Sequence, residues 1–378
     1  MKVGCVRRRE RVAVIGVGVL GASVGWNLSR RGAEVVFVDA GRPGEGVTNW
    51  SFSWVNAGTK TERRSYFDLN VAGMAAHREL AETIGPDSWW YPSGHLRWAG
   101  DPAAEAKLLE TAELLTGWDY RVEVCTGAEV RRRLEPALAV PGRTPVLFYP
   151  DEAWVHGRHL VGRLVGRAVE SGAEHRSGTA VRDIGTGADG SIRTVTLSDG
   201  SRLDVDAVVN AAGPGASRVA GLIARHLPMR REPGVVNRIG CAQAPVHRVV
   251  HAPHIAIRPD GDASVVLHSG EIDALIDTGE DPAELARLLH ESARHVVPEL
   301  GDSGVVQTVT QTRVAFRPIP ADGFPSVGAV PSVPGYYEAV SHSGITLGPV
   351  IGGLLASEIL GGKRDEMLAD FRPERFPQ

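Results

Sequence analysis

The sequence predicts two domains: an α/β domain built around a parallel sheet and assembled from separated stretches of the chain, and an α+β domain built around an antiparallel sheet. Three observations predict this fold. A strand, a glycine-rich turn, a helix and a second strand follow one another near the N-terminus. Further buried strands occur far downstream, and two intervening blocks alternate short strands with single helices. The 378 residues are enough for two domains of ordinary size.

Composition and charge argue against several classes of protein. The net charge of -4 gives no general affinity for nucleic acid or for anionic membranes, and no stretch of membrane-spanning length is uniformly apolar. Cys5, Cys125 and Cys241 are widely spaced and odd in number, which is typical of a reducing compartment rather than of a disulfide framework. We therefore expect a cytoplasmic protein with no nucleic-acid or membrane partner.

The first unit, within residues 11–39, has the pattern of a Rossmann-like dinucleotide-binding fold. The run "VAVIG" predicts a buried strand, and Gly16, Gly18 and Gly21 then form G-x-G-x-x-G at the start of a helix. The second strand, "EVVFVD", ends at Asp39, 18 residues after Gly21. In this arrangement the glycines admit a pyrophosphate against the helix N-terminus, and the acid accepts from a ribose hydroxyl. The pattern does not distinguish NAD from FAD.

Two later stretches belong to the same domain in this prediction. Residues 159–185 read as a helix, a glycine-containing turn and a strand at Ala180–Ile184. Residues 192–217 read as a hairpin around "SDG", followed by a buried strand that ends in "NAAGPG". Because these elements lie far from Asp39, the domain must be discontinuous, whereas in NAD dehydrogenases it is usually one block.

The middle of the chain supplies the second domain. A long helix is predicted over residues 59–85. The next block contains a strand, "SGHLRW", and a helix at Ala103–Leu115, and a later block alternates strands with one helix capped by Asp281. We assign residues 1–85, 151–225 and 317–378 to the dinucleotide domain, and residues 86–150 and 226–316 to the second domain.

The stretch "SHSGITLGPVIGG", from Ser341 to Gly353, precedes the last predicted helix and has an unusual composition for a helix start. Glycine destabilises a helix and is kept where the backbone must come close to something else. Either these glycines approach a ligand, or they allow tight helix packing.

Taken in order, these motifs resemble the superfamily of FAD-dependent oxidoreductases that contains D-amino-acid oxidase, glycine oxidase and sarcosine oxidase. The resemblance also rests on "VTNWSFSWVNAG" at 47–58, on "TAVRDIG", and on "RVAFRPIPADGFPSVG" at 313–328. It implies a discontinuous, GR2-type Rossmann-like FAD-binding domain with an antiparallel-sheet α+β substrate domain. The FAD contacts that it implies are Gly16, Gly18, Val19, Leu20, Gly21, Asp39, Ala40, Thr48, Ser51, Phe52, Ser53, Val181, Ala212, Gly213, Gly344, Ile345 and Thr346.

The resemblance implies a substrate site around Arg317. The family uses an arginine at this position to anchor an amino-acid carboxylate, and a guanidinium is the best bidentate partner for that group. The alternative is a structural ion pair with an Asp or Glu. The stretch "HAPHIAIRPDGDASVVLHSG", at 251–270, resembles the family's hairpin on the substrate side of the flavin. His254 and His268 occupy places in it where related enzymes have Tyr or Met, or they are ordinary structural histidines. His95 and His342 are weaker candidates, and no metal site is predicted.

The expected reaction is oxidation of the C–N bond of an amino acid or N-substituted amino acid, with hydride transfer to flavin N5 and hydrolysis of the imine. Ala315 replaces the cysteine that attaches FAD in sarcosine oxidases, so we expect non-covalent FAD. The electron acceptor, O2 or another, stays open because "SVVLHSG" lacks the lysine of those oxidases; Lys60, which follows the loop at 47–58, is the alternative residue for that role. The alternatives are another flavin- or NAD-dependent oxidoreductase and a non-catalytic flavin-binding protein.

Overall fold

The computed structural model describes residues 9–302 and 306–376, with side chains described except at residues 306–310; Cys5 lies outside this part. The helices of the described chain are α1 (Val19–Ser29), α2 (Arg64–Ile84), α3 (Pro102–Gly117), α4 (Gly127–Arg133), α5 (Gly157–Glu170), α6 (Ala216–Gly221), α7 (Gly270–Asp273), α8 (Pro282–Val296) and α9 (Gly344–Gly361).

The strands of the described chain, numbered in the same way, are β1 (Arg11–Ile15), β2 (Glu34–Asp39), β3 (Trp54–Val55), β4 (Trp90–Tyr91), β5 (His95–Arg97), β6 (Glu123–Thr126), β7 (Pro145–Tyr149), β8 (Ala153–Val155), β9 (Glu174–Ser177), β10 (Val181–Thr186), β11 (Ile192–Leu197), β12 (Arg202–Asp204), β13 (Ala207–Asn210), β14 (Met229–Arg230), β15 (Pro233–Cys241), β16 (Val249–Ala252), β17 (Ile255–Pro259), β18 (Ser264–His268), β19 (Val306–Phe316), β20 (Ile319–Pro320), β21 (Ser326–Ala329) and β22 (Tyr336–Val340).

The first domain is built on a six-stranded sheet in the order β21-β22-β13-β1-β2-β9. Its pairs are parallel except for β21, which runs antiparallel to β22 at the edge. The central strands β1 and β13 are buried, apart from Arg11 at the start of β1, because a parallel sheet is covered on both faces. One face packs on α1, α5 and α9, and the other on the antiparallel sheet β10-β11-β12. The prediction of a discontinuous Rossmann-like domain is confirmed.

The second domain is an eight-stranded sheet in the order β19-β15-β18-β17-β16-β5-β7-β6. It is antiparallel except between β16 and β5, which run parallel. Helix α8, capped by Asp281 as predicted, covers one face through Leu285, Leu289 and Ala293. The predicted α+β domain is therefore present, whereas the residues at which the chain passes between domains remain a prediction.

Helices α2 and α9 differ from the sequence-based expectations in their start and in their apolar length, respectively. The helix predicted over residues 59–85 begins only at Arg64, because the residues before it form turns, with the Lys60 amide donating to Ala57 O. Helix α9 is long and apolar enough, by length and composition, to cross a membrane, but it is 67% buried inside the fold. It packs against α1 and α2, as the core helix of a folded domain does.

Candidate active site

The glycines of the first motif lie at the carboxyl end of β1, where the chain turns into α1. Gly16 has φ +91°, and a Cβ at this residue would lie 2.4 Å from Ala211 O. A Cβ at Gly21 would lie 1.9 Å from Gly16 O, whereas one at Gly18 would meet only the Thr48 hydroxyl at 3.0 Å. Any larger side chain at Gly16 or Gly21 would force the turn apart, so both glycines are required by the close backbone packing.

Polar groups surround the N-terminus of α1. Gly18, the residue that precedes α1, has no side chain with which to cap the helix. The Val19 amide donates to Thr48 Oγ1 at 3.1 Å. The Asp39 carboxylate accepts from the Val17 amide at 2.7 Å and from the Gly41 amide at 2.8 Å. A carboxylate has further acceptor capacity beyond two bonds, so Asp39 can also accept from a hydroxyl of a ligand.

Distant segments meet at this edge, as the sequence predicted. Ala211 N donates to Ile15 O at 2.8 Å, which places Ala212 and Gly213 beside the glycine turn. The Thr179 amide donates to Asp39 O at 3.0 Å, so β10 begins close to the end of β2. Val181 and Ala212 pack in the same apolar cluster, and Ala40 is exposed next to Asp39.

A cavity of about 270 Å³ opens between the two domains. One wall comes from the loop around β3 and from the start of α9, and the other from β15, β16, β18 and the end of β19. The predicted residues that line the cavity are Ser51, Phe52, Ser53, His268, Arg317, Ile345 and Thr346. Further lining residues that bear on function are Trp54, Lys60, His251, Ala315 and His342.

The start of α9 resolves the two explanations of its glycines. A Cβ at Gly348 would lie 2.9 Å from Val19 Cγ2, and one at Gly352 would lie 2.7 Å from the Ser23 backbone, so these two permit close packing on α1. A Cβ at Gly344 would meet Leu20 only at an ordinary 3.5 Å. No side chain caps this helix, so its first amides, including those of Ile345 and Thr346, lack acceptors within the helix. Packing therefore accounts for Gly348 and Gly352 but not for Gly344.

Arg317 lies in the cavity wall within a network of charged groups. Its Nη2 contacts Asp273 Oδ2 and lies 2.9 Å from His268 Nε2, and its Nη1 donates to Glu232 Oε1 at 3.0 Å. Asp273 is only 7% exposed, whereas Glu232 is 43% exposed. Burial acts to raise the pKa of Asp273, but the hydrogen bond from His268 and the charges of His268 and Arg317 outweigh it, so that pKa lies below its usual value. Arg317 is thus a cavity residue and also a structural ion-pair partner.

The two histidines predicted from the hairpin have different positions. His268 ends β18 inside the cavity, with its Nε2 3.0 Å from Asp273 Oδ2. The prediction that His254 faces the same site is wrong. His254 lies at the turn between β16 and β17 with φ +68°, its side chain is 67% exposed, and it pairs with Glu271 at 2.7 Å. The tight turn directs residue 254 to the surface.

Sequence reasoning missed His251 and gave little weight to His342, and both line the cavity. Burial, followed by the charges of Lys60, Arg317 and His268, lowers the pKa of His342 to about 3, so its imidazole is neutral near pH 7. Burial also lowers the pKa of Lys60, although the carboxylates of Glu62 and Glu152 act in the opposite direction. Within the described part of the chain, no three His, Cys, Asp or Glu side chains are placed to hold a metal ion.

These observations fit a bound flavin dinucleotide. The glycine turn is closed to side chains, the α1 N-terminus is available to phosphate, and Asp39 is placed to accept from a ribose. The N-terminus of α9 also reaches the cavity. Its free amides can stabilise negative charge on the edge of a bound flavin ring. A discontinuous dinucleotide domain whose cavity is shared with a second, antiparallel domain is the architecture of a flavin-dependent oxidoreductase.

Comparison with known proteins identifies the family. The DAO family of FAD-dependent oxidoreductases matches residues 11–358, so the chain belongs to this family. It is 24% identical to the glycine oxidase of Geobacillus kaustophilus, over 97% of this chain and 96% of that protein. It is 27% identical to the D-proline dehydrogenase of Pyrobaculum islandicum, over 97% and 100% of the two proteins. The crystal structure of the Geobacillus glycine oxidase matches with a TM-score of 0.85 at 22% identity, covering 98% of this chain and all of that one, which confirms the fold.

Proposed function

We propose that this enzyme oxidises the C–N bond of an amino acid or an N-substituted amino acid. The observation that carries the proposal is a guanidinium, Arg317, in the wall of a cavity that also contains the uncapped N-terminus of α9. The names of its relatives support this substrate class, since glycine oxidase and D-proline dehydrogenase act on a primary and a secondary amino acid, respectively.

FAD would be held non-covalently at the edge of the parallel sheet. The residues that would hold it there are Gly16, Gly18, Val19, Leu20, Gly21, Asp39, Ala40, Thr48, Val181, Ala212 and Gly213. Ser51, Phe52, Ser53, Gly344, Ile345 and Thr346 would contact the flavin ring. Ala315 in the cavity wall carries no nucleophile for covalent attachment, so acid denaturation should release all the flavin into the supernatant.

Arg317 would bind the substrate carboxylate, which would displace the Glu232 carboxylate from Nη1. The Nη1 group donates to Glu232 and to Pro233 O, and Nη2 contacts Asp273 and His268. Asp273 is buried and also accepts from the Val235 amide at 2.7 Å, so it holds the guanidinium in place. Glu232 is nearly half exposed, and moving its carboxylate into water costs little because exposed ion pairs contribute little free energy.

The chain's own residues would orient the substrate and stabilise charge. Bound FAD supplies the two-electron acceptor for the hydride that leaves the substrate α-carbon. Arg317 and His268 fix the carboxylate, so that the α-carbon is held in one orientation. The free amides of Gly344, Ile345 and Thr346 stabilise negative charge that develops beside the helix N-terminus. The imine product is hydrolysed by water, which explains why no nucleophile is needed.

An anaerobic titration of the purified holoenzyme tests the proposal. The flavin absorption near neutral pH is followed while primary and N-alkyl amino acids, each with its non-carboxylated amine as a matched control, are added. Bleaching by an amino acid but not by its decarboxylated control supports the proposal. Absence of bleaching with every compound would overturn it. Readmission of air then separates an oxidase, whose colour returns at once, from a dehydrogenase that needs another acceptor.

A further inference from the structure

Glu152, in the link between β7 and β8, is a fully buried carboxylate that the proposed function does not use. Its Oε1 accepts from the Gly58 amide at 2.9 Å and from the Tyr120 hydroxyl at 2.8 Å. Its Oε2 accepts from Trp54 Nε1 at 2.9 Å. Glu152 is 0% exposed, and burying an ionisable group to this extent costs free energy. Such groups are frequent at functional sites, where their charge or their proton takes part in the chemistry.

A buried imidazole continues from this carboxylate. His95 Nδ1 lies 2.9 Å from Glu152 Oε2, at ion-pair distance. The alignment falls short of a hydrogen bond, and no other partner for Nδ1 exists among the residues that the structure describes. The His95 ring is stacked on Tyr149 with centroids 5.0 Å apart. Glu152 Oε2, 2.9 Å away, is therefore the acceptor that the structure offers to a proton on Nδ1.

The chain of polar groups ends at the cavity. His95 Nε2 and His251 Nδ1 are 3.0 Å apart and form a hydrogen bond. His251 lines the cavity, and its ring is held by Trp54 at 4.3 Å and by Phe52 at 5.4 Å between centroids. Since Nδ1 is committed to His95, Nε2 on the other side of the ring is the nitrogen available to a ligand.

We propose that Glu152, His95 and His251 form a proton relay, and that His251 takes the proton from the ammonium group of the substrate. This inference rests on the proposed function, since an amino acid carries an ammonium that must become an amine before hydride can leave. The N–H bond of the ammonium breaks and an N–H bond forms at His251 Nε2. The Nδ1 proton of His251 passes to His95 Nε2, and the Nδ1 proton of His95 passes to Glu152. The net change is ammonium plus carboxylate to amine plus carboxylic acid, with no redox step.

The surroundings of the relay place a proton on Glu152 rather than on either imidazole. Burial, assisted by the charge of Arg97 on β5, holds the pKa of His95 well below its usual value, and burial does the same for His251, with His95, Arg97 and His268 on β18 adding to it. Neither imidazole therefore keeps the proton. Burial raises the pKa of Glu152 to about 7, although hydrogen bonds from Gly58, Tyr120, Trp54 and Ala57 oppose the shift. The other titratable groups that face Glu152 are Tyr120, Tyr149 and Lys60.

The first test is the pH profile of anaerobic flavin reduction at a saturating concentration of the amino acid that bleaches the holoenzyme. His251→Gln, His95→Gln and Glu152→Gln should each lower the rate at pH 7 by roughly 100- to 10,000-fold, the usual contribution of a general base. The rate should recover near pH 10, where the amine loses its proton unaided. His254→Gln, on the same hairpin but paired at the surface, is the control and should match the wild type. An equal loss at every pH, or no loss, would overturn the relay.

The second test needs no substrate. In protein labelled with ¹⁵N-histidine, His95 and His251 should be neutral with the proton on Nδ1 between pH 5 and 8, and Glu152→Gln should shift the ¹⁵N resonances of both. Independent titration of either ring near pH 6.5, without a response to Glu152→Gln, would overturn the proposal. If no amino acid bleaches the flavin, the proposed function fails, and the NMR coupling alone decides whether the relay exists.

Discussion

At the scale of single residues, the substrate site depends on how strongly the carboxylates of Asp273 and Glu232 hold Arg317. Asp273 is buried and fixed by a backbone amide, while Glu232 is the exposed partner. A buried anchor and an exposed competitor make opposite contributions: the first positions the guanidinium, and the second occupies donors that a substrate carboxylate needs.

We expect Glu232→Gln to lower KM by about three- to tenfold, because a neutral amide competes less well for Arg317 than a carboxylate does. Arg317→Lys should raise KM by roughly 10- to 100-fold, since an ammonium cannot make the bidentate contact. Steady-state kinetics with the identified amino acid measures both. A rise in KM for Glu232→Gln would show instead that Glu232 positions the guanidinium.

Glu152 should also affect stability in a pH-dependent way. Its pKa rises from 4.5 to about 7 on folding, so the folded protein holds a proton that the unfolded chain has lost across this window. Stability therefore falls as pH rises from 4.5 to 7. The wild type should lose up to about 3 kcal/mol relative to Glu152→Gln over that interval. Urea unfolding of both proteins at pH 5 and pH 8 gives the difference, and a gap independent of pH would contradict the raised pKa.

The histidines show what residue-level reading of the sequence could not supply. The motif around residues 251–270 was recognisable, but the position of its turn was not. The turn at Pro253 and His254 turns His254 outward and leaves His251 on the cavity side. A shift of one residue in register moves a side chain to the other face of a strand. No local feature of the sequence determined the register of β16, so the face occupied by each histidine could not be predicted.

At the scale of elements, local patterns predicted α1, α8 and α9 because caps, glycines and apolar periodicity are short-range signals. The pairing of β5 with β16 brings His95 and His251 together across 156 residues of chain. That pairing is set by how the second domain packs as a whole. The glycine turns and Arg317 were therefore recognisable from the sequence, whereas the buried pair of His95 and His251 was not.

The glycines of α9 allow the flavin and packing roles to be separated. Gly344→Ala should unfold like the wild type yet bind FAD roughly tenfold or more weakly, because its Cβ has room against Leu20 but none beside a flavin ring. Gly352→Ala should destabilise the protein by roughly 1–3 kcal/mol through overpacking on Ser23.

Gly353→Ala is the matched control, since a Cβ there meets nothing within 4 Å. It should bind FAD normally and be slightly more stable, because alanine favours helix. Thermal unfolding and FAD titration of the three apo-proteins test this set. Normal FAD affinity in Gly344→Ala would remove the proposed flavin contact.

At the scale of the whole molecule, the FAD-binding domain is assembled from stretches that are far apart in sequence, and the proposed FAD contacts come from all of them. Cofactor binding should therefore stabilise the whole fold rather than one segment. Free FAD at 100 times its Kd is expected to add about 2.7 kcal/mol to the free energy of unfolding. Apo-protein melted with FAD should show one raised transition, whereas NAD at the same concentration should not change Tm. A rise in Tm with NAD but not with FAD would show that the dinucleotide site binds NAD.

The overall architecture was the most predictable level. The two glycine-rich turns, one near each end of the described chain, bracket a domain whose insertions form the second sheet, and this order is visible in the sequence. The cavity was not visible, because its walls come from both domains and its volume depends on their packing.

An anaerobic single turnover is the decisive experiment for oxidation of an amino-acid C–N bond at the cavity beside Arg317. Holoenzyme is mixed with one equivalent of the amino acid that bleaches it, and the carbonyl and amine products are trapped and quantified. We expect one carbonyl compound and one ammonia or smaller amine for each flavin reduced, with this yield lost in Arg317→Leu at the same substrate concentration. Flavin reduction without a carbonyl product, or an undiminished yield in Arg317→Leu, would contradict it.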